Sequence, residues 1–227
     1  MKGPLSSLKV LDFSTLLPGP FASLLLADMG AEVLRIESPT RVDLVRVLPP
    51  FDGDSSTSHA YLNRNKRSLA LDLKNPAALA VVHKLVAEYD IVLEQFRPGV
   101  MAKLGLGYEA LKAINPRLIY VSITGYGQTG PYQDRAGHDL NYLALSGLAS
   151  YTGRRDTGPL PLGVQVADIA GGSLHGVIGL LAAVIARQST GQGQHVDISM
   201  TDCAFSLHAM AGAGYPGAGV EPAMENQ

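Results

Sequence analysis

Short apolar runs of strand length alternate with stretches of helical periodicity along most of the chain. Residues 8–14, LKVLDFS, make one such run; PGP at Pro18 to Pro20 then opens a helical pattern, FASLLLADMG, closed by Gly30, and AEVLRIE reads as a second strand. A strand, a helix with proline near its start and glycine at its end, and another strand form a βαβ unit. The order recurs with SLALDL at 68–73, a helix over 76–89, the strand DIVLEQF, a helical YEALKAI and the strand RLIYVSIT over 117–124. Alternation of this kind predicts an α/β fold, a Rossmann-like parallel sheet with helices on both faces. Past Thr124 come a loop, GYGQTGPYQDRAG, a helix starting near His138, a Gly/Pro-rich loop and a long helix over 169–188. A last strand, HVDISM, leads into a final helix.

A sheet of this type binds ligands at the loops after the carboxyl ends of its strands, where the strand order reverses. The loop after the first strand, DFSTLLPGP, has no GxGxxG, and no GxxxxGK[ST] occurs in the chain, so the nicotinamide-dinucleotide and P-loop readings lose their main support. The 227 residues carry 18 Lys+Arg against 20 Asp+Glu, a net charge of −2 that offers no field for nucleic acid. With 46% hydrophobic residues there is enough apolar side chain for a large core. The single cysteine, Cys203, excludes an internal disulfide framework and suits a reducing cytoplasm, and no Cys/His spacing suggests zinc. The opening MKGPLSSLKV lacks the apolar stretch of a leader, and the longest apolar run, 176–186, is short of the roughly 20 residues of a membrane span. Residues 1–210 are therefore expected to form one large domain, and the Gly/Ala/Pro-rich 211–227 a linker toward a second domain.

Six stretches in one order carry a resemblance: VLDFSTLLPGPFASLLLADMGAEVLRIE, NKRSLALDLKNP, FRPGVMAKLGLGYEAL, YVSITGYGQTGPY, GHDLNYLALSG and ADIAGG…TGQGQHVDISM. Together they resemble the family III CoA-transferases, the CaiB/BaiF family, which also includes α-methylacyl-CoA racemase. The resemblance implies a CoA-binding large domain, a smaller second domain, and two chains interlocked as a homodimer. Members are longer, so the chain is similar to their N-terminal two thirds. It also implies an acyl-CoA thioester as substrate, with coenzyme A part of that substrate and no metal or prosthetic group.

Within that family the segment GHDLNYLALSG separates the chemistries: racemases are similar to this chain in placing histidine at His138, whereas transferases more often have Phe or Tyr there. The resemblance assigns catalysis to His138 and Asp168. A racemase must take a weakly acidic proton from one face of the carbon alpha to a thioester and return one to the other. Histidine, with an ordinary pKa near 6.5, suits one side. Asp168 stands just before the apolar stretch IAGGSLHGVIGLLAAVIARQ, which predicts an N-cap whose free N–H groups stabilise a developing enolate oxygen, with Gly171 and Gly172 clearing the approach. Asp139, next to His138 on the same helix, is expected to point elsewhere. In a transferase, Asp168 would instead attack the thioester and carry covalent intermediates. A third expectation is a fragment that binds CoA without turnover, since the family's glutamate partner to the histidine falls outside this sequence.

By motif match, the CoA contacts carry over to Leu71, Lys74, Gln95, Phe96, Arg97, Lys103 and Tyr142. Lys74 is read at the end of the strand LALDLK, and Arg97 and Lys103 follow DIVLEQF, so scattered cations would meet the phosphates. One departure stands out: the family's adenine-contacting arginine falls at Ser38, and Arg41 is the substitute within reach. Leu16, Leu17 and Pro18 are expected to line the acyl side, suiting a branched or fatty acyl group. His59, His83, His175, His195 and His208 have no motif partner and are expected at the surface or satisfied in the core.

Overall fold

The computed structural model describes residues 3–221, 223 and 224. In chain order the elements are β1 (Lys9–Asp12), α1 (Pro18–Asp28), β2 (Glu32–Glu37), a hairpin of β3 (Phe51–Asp52) and β4 (Ser55–Ser56), α2 (Thr57–Asn63), β5 (Arg67–Ala70), α3 (Pro76–Val86), β6 (Ile91–Glu94), α4 (Val100–Lys103), α5 (Tyr108–Ile114) and β7 (Ile119–Thr124). Then come α6 (Asp139–Leu145), a second hairpin of β8 (Gly153–Arg154) and β9 (Gly158–Pro159), a π-helical segment Ala167–Leu174 running directly into α7 (His175–Thr190), β10 (His195–Ser199), α8 (Met200–Ser206) and a short α9 (Gly214–Ala218). Part of the expected linker is thus helical; its residues 222 and 225–227 lie outside the described ones.

Six strands form one sheet in the order β10-β7-β6-β1-β2-β5, all parallel. Alternating side chains build two cores. Val10, Ile91, Leu93, Ile119, Val121 and Ile123 pack on the α1 and α7 side. Leu11, Val92, Leu118 and Tyr120 pack on the other, against Val82 and Val86 of α3 and Leu111 of α5. From β1 the chain runs outward through β2 to β5, then crosses back to β6 and on through β7 to β10. The reversal therefore lies between β1 and β6, and the loops after those two strands open a crevice there.

Several strands are shorter than their apolar runs. β1 stops at Asp12 because its buried carboxylate accepts the Ser14 N–H at 2.8 Å, folding the chain into a turn, and also accepts the hydroxyl of Ser23 in α1 at 2.5 Å. β5 stops at Ala70. Its extension becomes a turn in which Asp72 accepts the Lys74 N–H at 3.1 Å and Asn75 caps α3 by accepting the Ala77 N–H at 2.9 Å. Lys74 is consequently an exposed turn residue and not the end of a strand.

Among the described residues one helical stretch, Ala167–Thr190, has the length and apolarity of a membrane span, because the π-helical segment adds to the apolar run. It packs against α1, β7, β10 and α8, as a covering helix of the sheet does.

Candidate active site

A cleft of about 1070 Å³ occupies the crevice at the reversal point. The loop after β1 contributes Leu16, Leu17 and Pro18; the loop after β6 contributes Gln95, Phe96 and Arg97. The end of β7 adds Thr124 and Gly125, the approach to α6 adds Arg135 and His138, and the π-helical segment adds Asp168 and Ile169.

The two wall loops at the reversal point are tied to one another. Gly19 N–H donates to Gln95 Oε1 at 2.9 Å. A methyl group at Gly19 would fall 2.6 Å from that oxygen and inside the Ser14 side chain, so this approach requires glycine. Leu16 adopts a left-handed backbone, φ 61°, and its N–H donates to Asp43 Oδ1 at 3.2 Å. Asp43 is held in turn by the fully buried Arg35 guanidinium. A leucine in that conformation is strained, and the fixed carboxylate is what holds it.

His138 is the N-cap of α6 with extended backbone. Asn141 Oδ1 accepts its N–H at 2.9 Å, one arm of a capping box between the two residues, and the imidazole is exposed beside the cleft. Tyr142, one helical turn on, is buried and wedged between two glycines: a methyl at Gly125 or Gly137 would stand 2.5 or 2.6 Å from its Cε1. Its ring meets Tyr126 edge to face at 5.3 Å, and burial pushes its hydroxyl pKa far up.

Asp168 is not an N-cap. Helical backbone already begins at Val166, and Asp168 is the second residue of the π-helical segment. Its own N–H donates to Asp139 Oδ1 at 3.0 Å, so that amide is committed and unavailable to an enolate oxygen. Gly171 and Gly172 serve packing: a methyl at Gly171 would lie 2.8 Å from the Met200 carbonyl oxygen, and one at Gly172 3.0 Å from Pro18 Cβ. They let the wide turn sit against α8 and the start of α1, and Ser173 Oγ completes the join by donating to the Pro18 carbonyl at 2.6 Å. Burial first, and the Asp139 charge second, push the Asp168 carboxyl up to about 7.

Asp139, expected to point away, is therefore the buried partner of Asp168. Helical periodicity separates its side chain from that of His138, and nothing in its spacing announces a contact with residue 168. Of the expected coenzyme residues, Gln95, Phe96, Arg97 and Tyr142 line the cleft. Leu71, Lys74 and Lys103 do not: Leu71 packs on the core beneath α3 and α5, and Lys74 and Lys103 are exposed outside it. Ser38 is an exposed turn former whose Oγ accepts the Arg41 N–H at 3.1 Å, and Arg41 is exposed as well. Of the other histidines, His59 meets Arg35 at 3.0 Å, His175 the Ala170 carbonyl at 2.6 Å and His195 Ser122 at 2.9 Å. His208 Nδ1 meets the Tyr151 hydroxyl at 2.8 Å while its buried Nε2 has no partner among the described residues, and His83 is half-buried on α3. Among the described residues no cluster of His, Cys, Asp and Glu has the arrangement of a metal site.

A parallel α/β domain with a half-buried carboxyl and an exposed imidazole in the crevice at its reversal point is the class this arrangement defines. The family model of CoA-transferase family III matches residues 5–227, and the chain belongs to that family. It is 43% identical over 221 residues to a succinate–glutarate CoA-transferase of Agrobacterium fabrum, covering 94% of this chain and 55% of the relative. It is 44% identical over 200 residues to the human α-methylacyl-CoA racemase, covering 87% and 48% respectively. The crystal structure of a CAIB/BAIF family protein from Brucella suis superposes with a TM-score of 0.93 at 40% identity, covering 99% of this chain and 60% of that one. The chain thus spans about half the length of the curated relatives it matches.

Proposed function

We propose that this chain holds the coenzyme and the reacting groups of an enzyme that epimerises the carbon alpha to an acyl-CoA thioester, as α-methylacyl-CoA racemases do. The observation that carries the reading is the pairing in one cleft of a carboxyl held near neutrality, Asp168, with the exposed imidazole of His138. A carboxyl at about 7 exists in both protonation states at neutral pH, so Asp168 is able to accept or return a proton, and an imidazole is the side chain chemically suited to the same exchange on the other side. One group in its basic form removes the alpha proton, electrons move onto the thioester oxygen, and the other in its acid form delivers a proton to the opposite face. The two residues finish with exchanged protonation states and reset through solvent.

Arg97 offers a cation and Phe96 and Tyr142 flat apolar surface to the coenzyme, while Leu16, Leu17, Phe21, Leu48 and Leu62 give the acyl side an apolar lining. That lining favours a branched or fatty acyl group over a small dicarboxylate. The complete protein would work as a homodimer in the cytoplasm.

A second reading is favoured by the identity to the succinate–glutarate transferase. There Asp168 in its ionised form attacks the thioester carbonyl and expels the CoA thiolate, leaving a mixed anhydride. The thiolate then attacks the Asp168 carbonyl and releases the donor acid. The acceptor carboxylate displaces the thiolate from that aspartyl thioester to form a second anhydride, and the thiolate attacks its acceptor carbonyl to give the new acyl-CoA and free Asp168. Acyl-CoA incubated in deuterated water with and without free acids separates the two. Deuterium at the alpha carbon without an acceptor supports epimerisation; a new thioester formed only with an acceptor, without exchange, overturns it in favour of transfer.

A further inference from the structure

Behind the loop after β6 lies a second cavity of about 410 Å³, bordered by Glu94, Tyr108, Ser122, Gln128 and His195, with Arg97 shared between it and the main cleft. Its floor breaks the pattern of the sheet. On the face where Val92 and Tyr120 are core residues, the next positions along the same strands are Glu94 and Ser122, and they are register partners across β6 and β7. Both are almost wholly buried, at 4% and 1% exposure. An apolar side chain would satisfy the fold at position 94, and burying a carboxyl there is costly, so the glutamate needs another reason.

Its contacts supply one. Glu94 Oε2 accepts the N–H of Phe96 at 2.8 Å, and Ser122 stands beside the same carboxylate as its register partner. Ser122 Oγ lies 2.9 Å from His195 Nε2. The imidazole is fixed by stacking on Tyr108, with centroids 5.3 Å apart, and by an edge contact with Tyr120 at 5.2 Å. A run of polar neighbours thus leads from β10 through β7 to the first residues beyond β6. From there Gln95 reaches across to the Gly19 amide, and Phe96 and Arg97 enter the main cleft. Burial pushes the Glu94 carboxyl up to about 7, in keeping with a group walled off from water.

We infer that Glu94 is a positioning residue: anchored by Ser122 and His195, it fixes the Phe96 amide and so presents Gln95, Phe96 and Arg97 to the coenzyme. The inference rests on the reading of the main cleft as a coenzyme A site. Its signature is a split between binding and chemistry, because Glu94 borders the second cavity and not the cleft that holds His138 and Asp168.

The experiment measures CoA affinity by calorimetry, KM and kcat with an acyl-CoA, and exchange of the Phe96 amide by NMR, in wild type and in Glu94→Ala, Glu94→Gln and Ser122→Ala. Glu94→Ala is expected to weaken CoA binding and raise KM by about tenfold while kcat stays within about twofold, with Phe96 exchanging faster. Glu94→Gln keeps a carbonyl oxygen for the Phe96 N–H and restores affinity. Ser122→Ala removes the anchor and gives a smaller rise in KM, which decides the matter should Glu94→Ala not fold. Unchanged affinity and Phe96 protection in a folded Glu94→Ala, or in Ser122→Ala if the former does not fold, overturns the inference; so does a loss confined to kcat. Wild type without measurable CoA affinity would instead refute the coenzyme reading on which the inference stands.

Discussion

Asp139→Asn tests the cleft most sharply because it removes one thing. The asparagine Oδ1 still accepts the Asp168 N–H, at 3.0 Å in the native protein, so the wide turn keeps its anchor. What disappears is the negative charge beside Asp168. That charge is the lesser of two causes that lift the Asp168 carboxyl from 3.8 to about 7, burial being the greater. Its removal therefore lowers the pKa by less than half of that interval, about one pH unit, equivalent to about 1.4 kcal/mol favouring the ionised form. The assay is the pH dependence of kcat/KM for alpha-proton exchange, which reports groups of the free enzyme. The limb belonging to Asp168 is expected to move about one unit toward acid while CoA affinity stays unchanged. A limb that remains in place, or moves toward alkali, in a folded Asp139→Asn protein would show that Asp168 does not govern it or does not feel its neighbour.

Three further outcomes follow from the same geometry. His138→Ala is expected to cut alpha-proton exchange by about 100-fold or more with CoA binding intact, as followed by deuterium incorporation; near wild-type exchange would remove the imidazole from the mechanism. Asp168→Asn is expected to be inactive yet more stable at pH 8. The native carboxyl, with its pKa raised above 3.8, binds its proton more tightly folded than unfolded, so its contribution falls as pH rises from about 4 to about 7; melting curves should therefore show a gain of a few degrees at pH 8 and none below about pH 4. Gly19→Ala, whose methyl would press 2.6 Å from Gln95 Oε1, should cost about 2–3 kcal/mol in urea unfolding and weaken CoA binding.

The sheet was legible from the chain because its strands are apolar runs closed by turn residues, and the parallel arrangement follows from alternation with helices. Strand ends were not: β1 and β5 stop where Asp12 and Asp72 fold back on neighbouring amides, a choice made by side chains that the apolar pattern does not weigh. The π-helical segment escaped for the same reason, since its cause lies in the approach of Gly171 and Gly172 to α8 and α1. Motif matching brought His138, Asp168, Gln95, Phe96, Arg97 and Tyr142 to one cleft, whereas it could not foresee that Leu71, Lys74 and Lys103 stand outside its walls. Asp139 and Glu94 were missed because each acts on a backbone amide, and a residue type gives no sign of which amide it will meet.

The Tyr142 ring, clamped between Gly125 and Gly137, has a consequence for how such a protein diversifies. One side of the cleft has no tolerance, since a single added methyl on either glycine would collide with the ring. The region around Leu48 and Tyr61 borders the same space with half or more of each residue open to solvent, at 50% and 57%. Substitutions there meet little resistance from packing. If the cleft takes an acyl group as proposed, variation in it is thus channelled to that bank, and libraries aimed at new substrates should be placed at Leu48, Ser58 and Tyr61 and kept away from Tyr142.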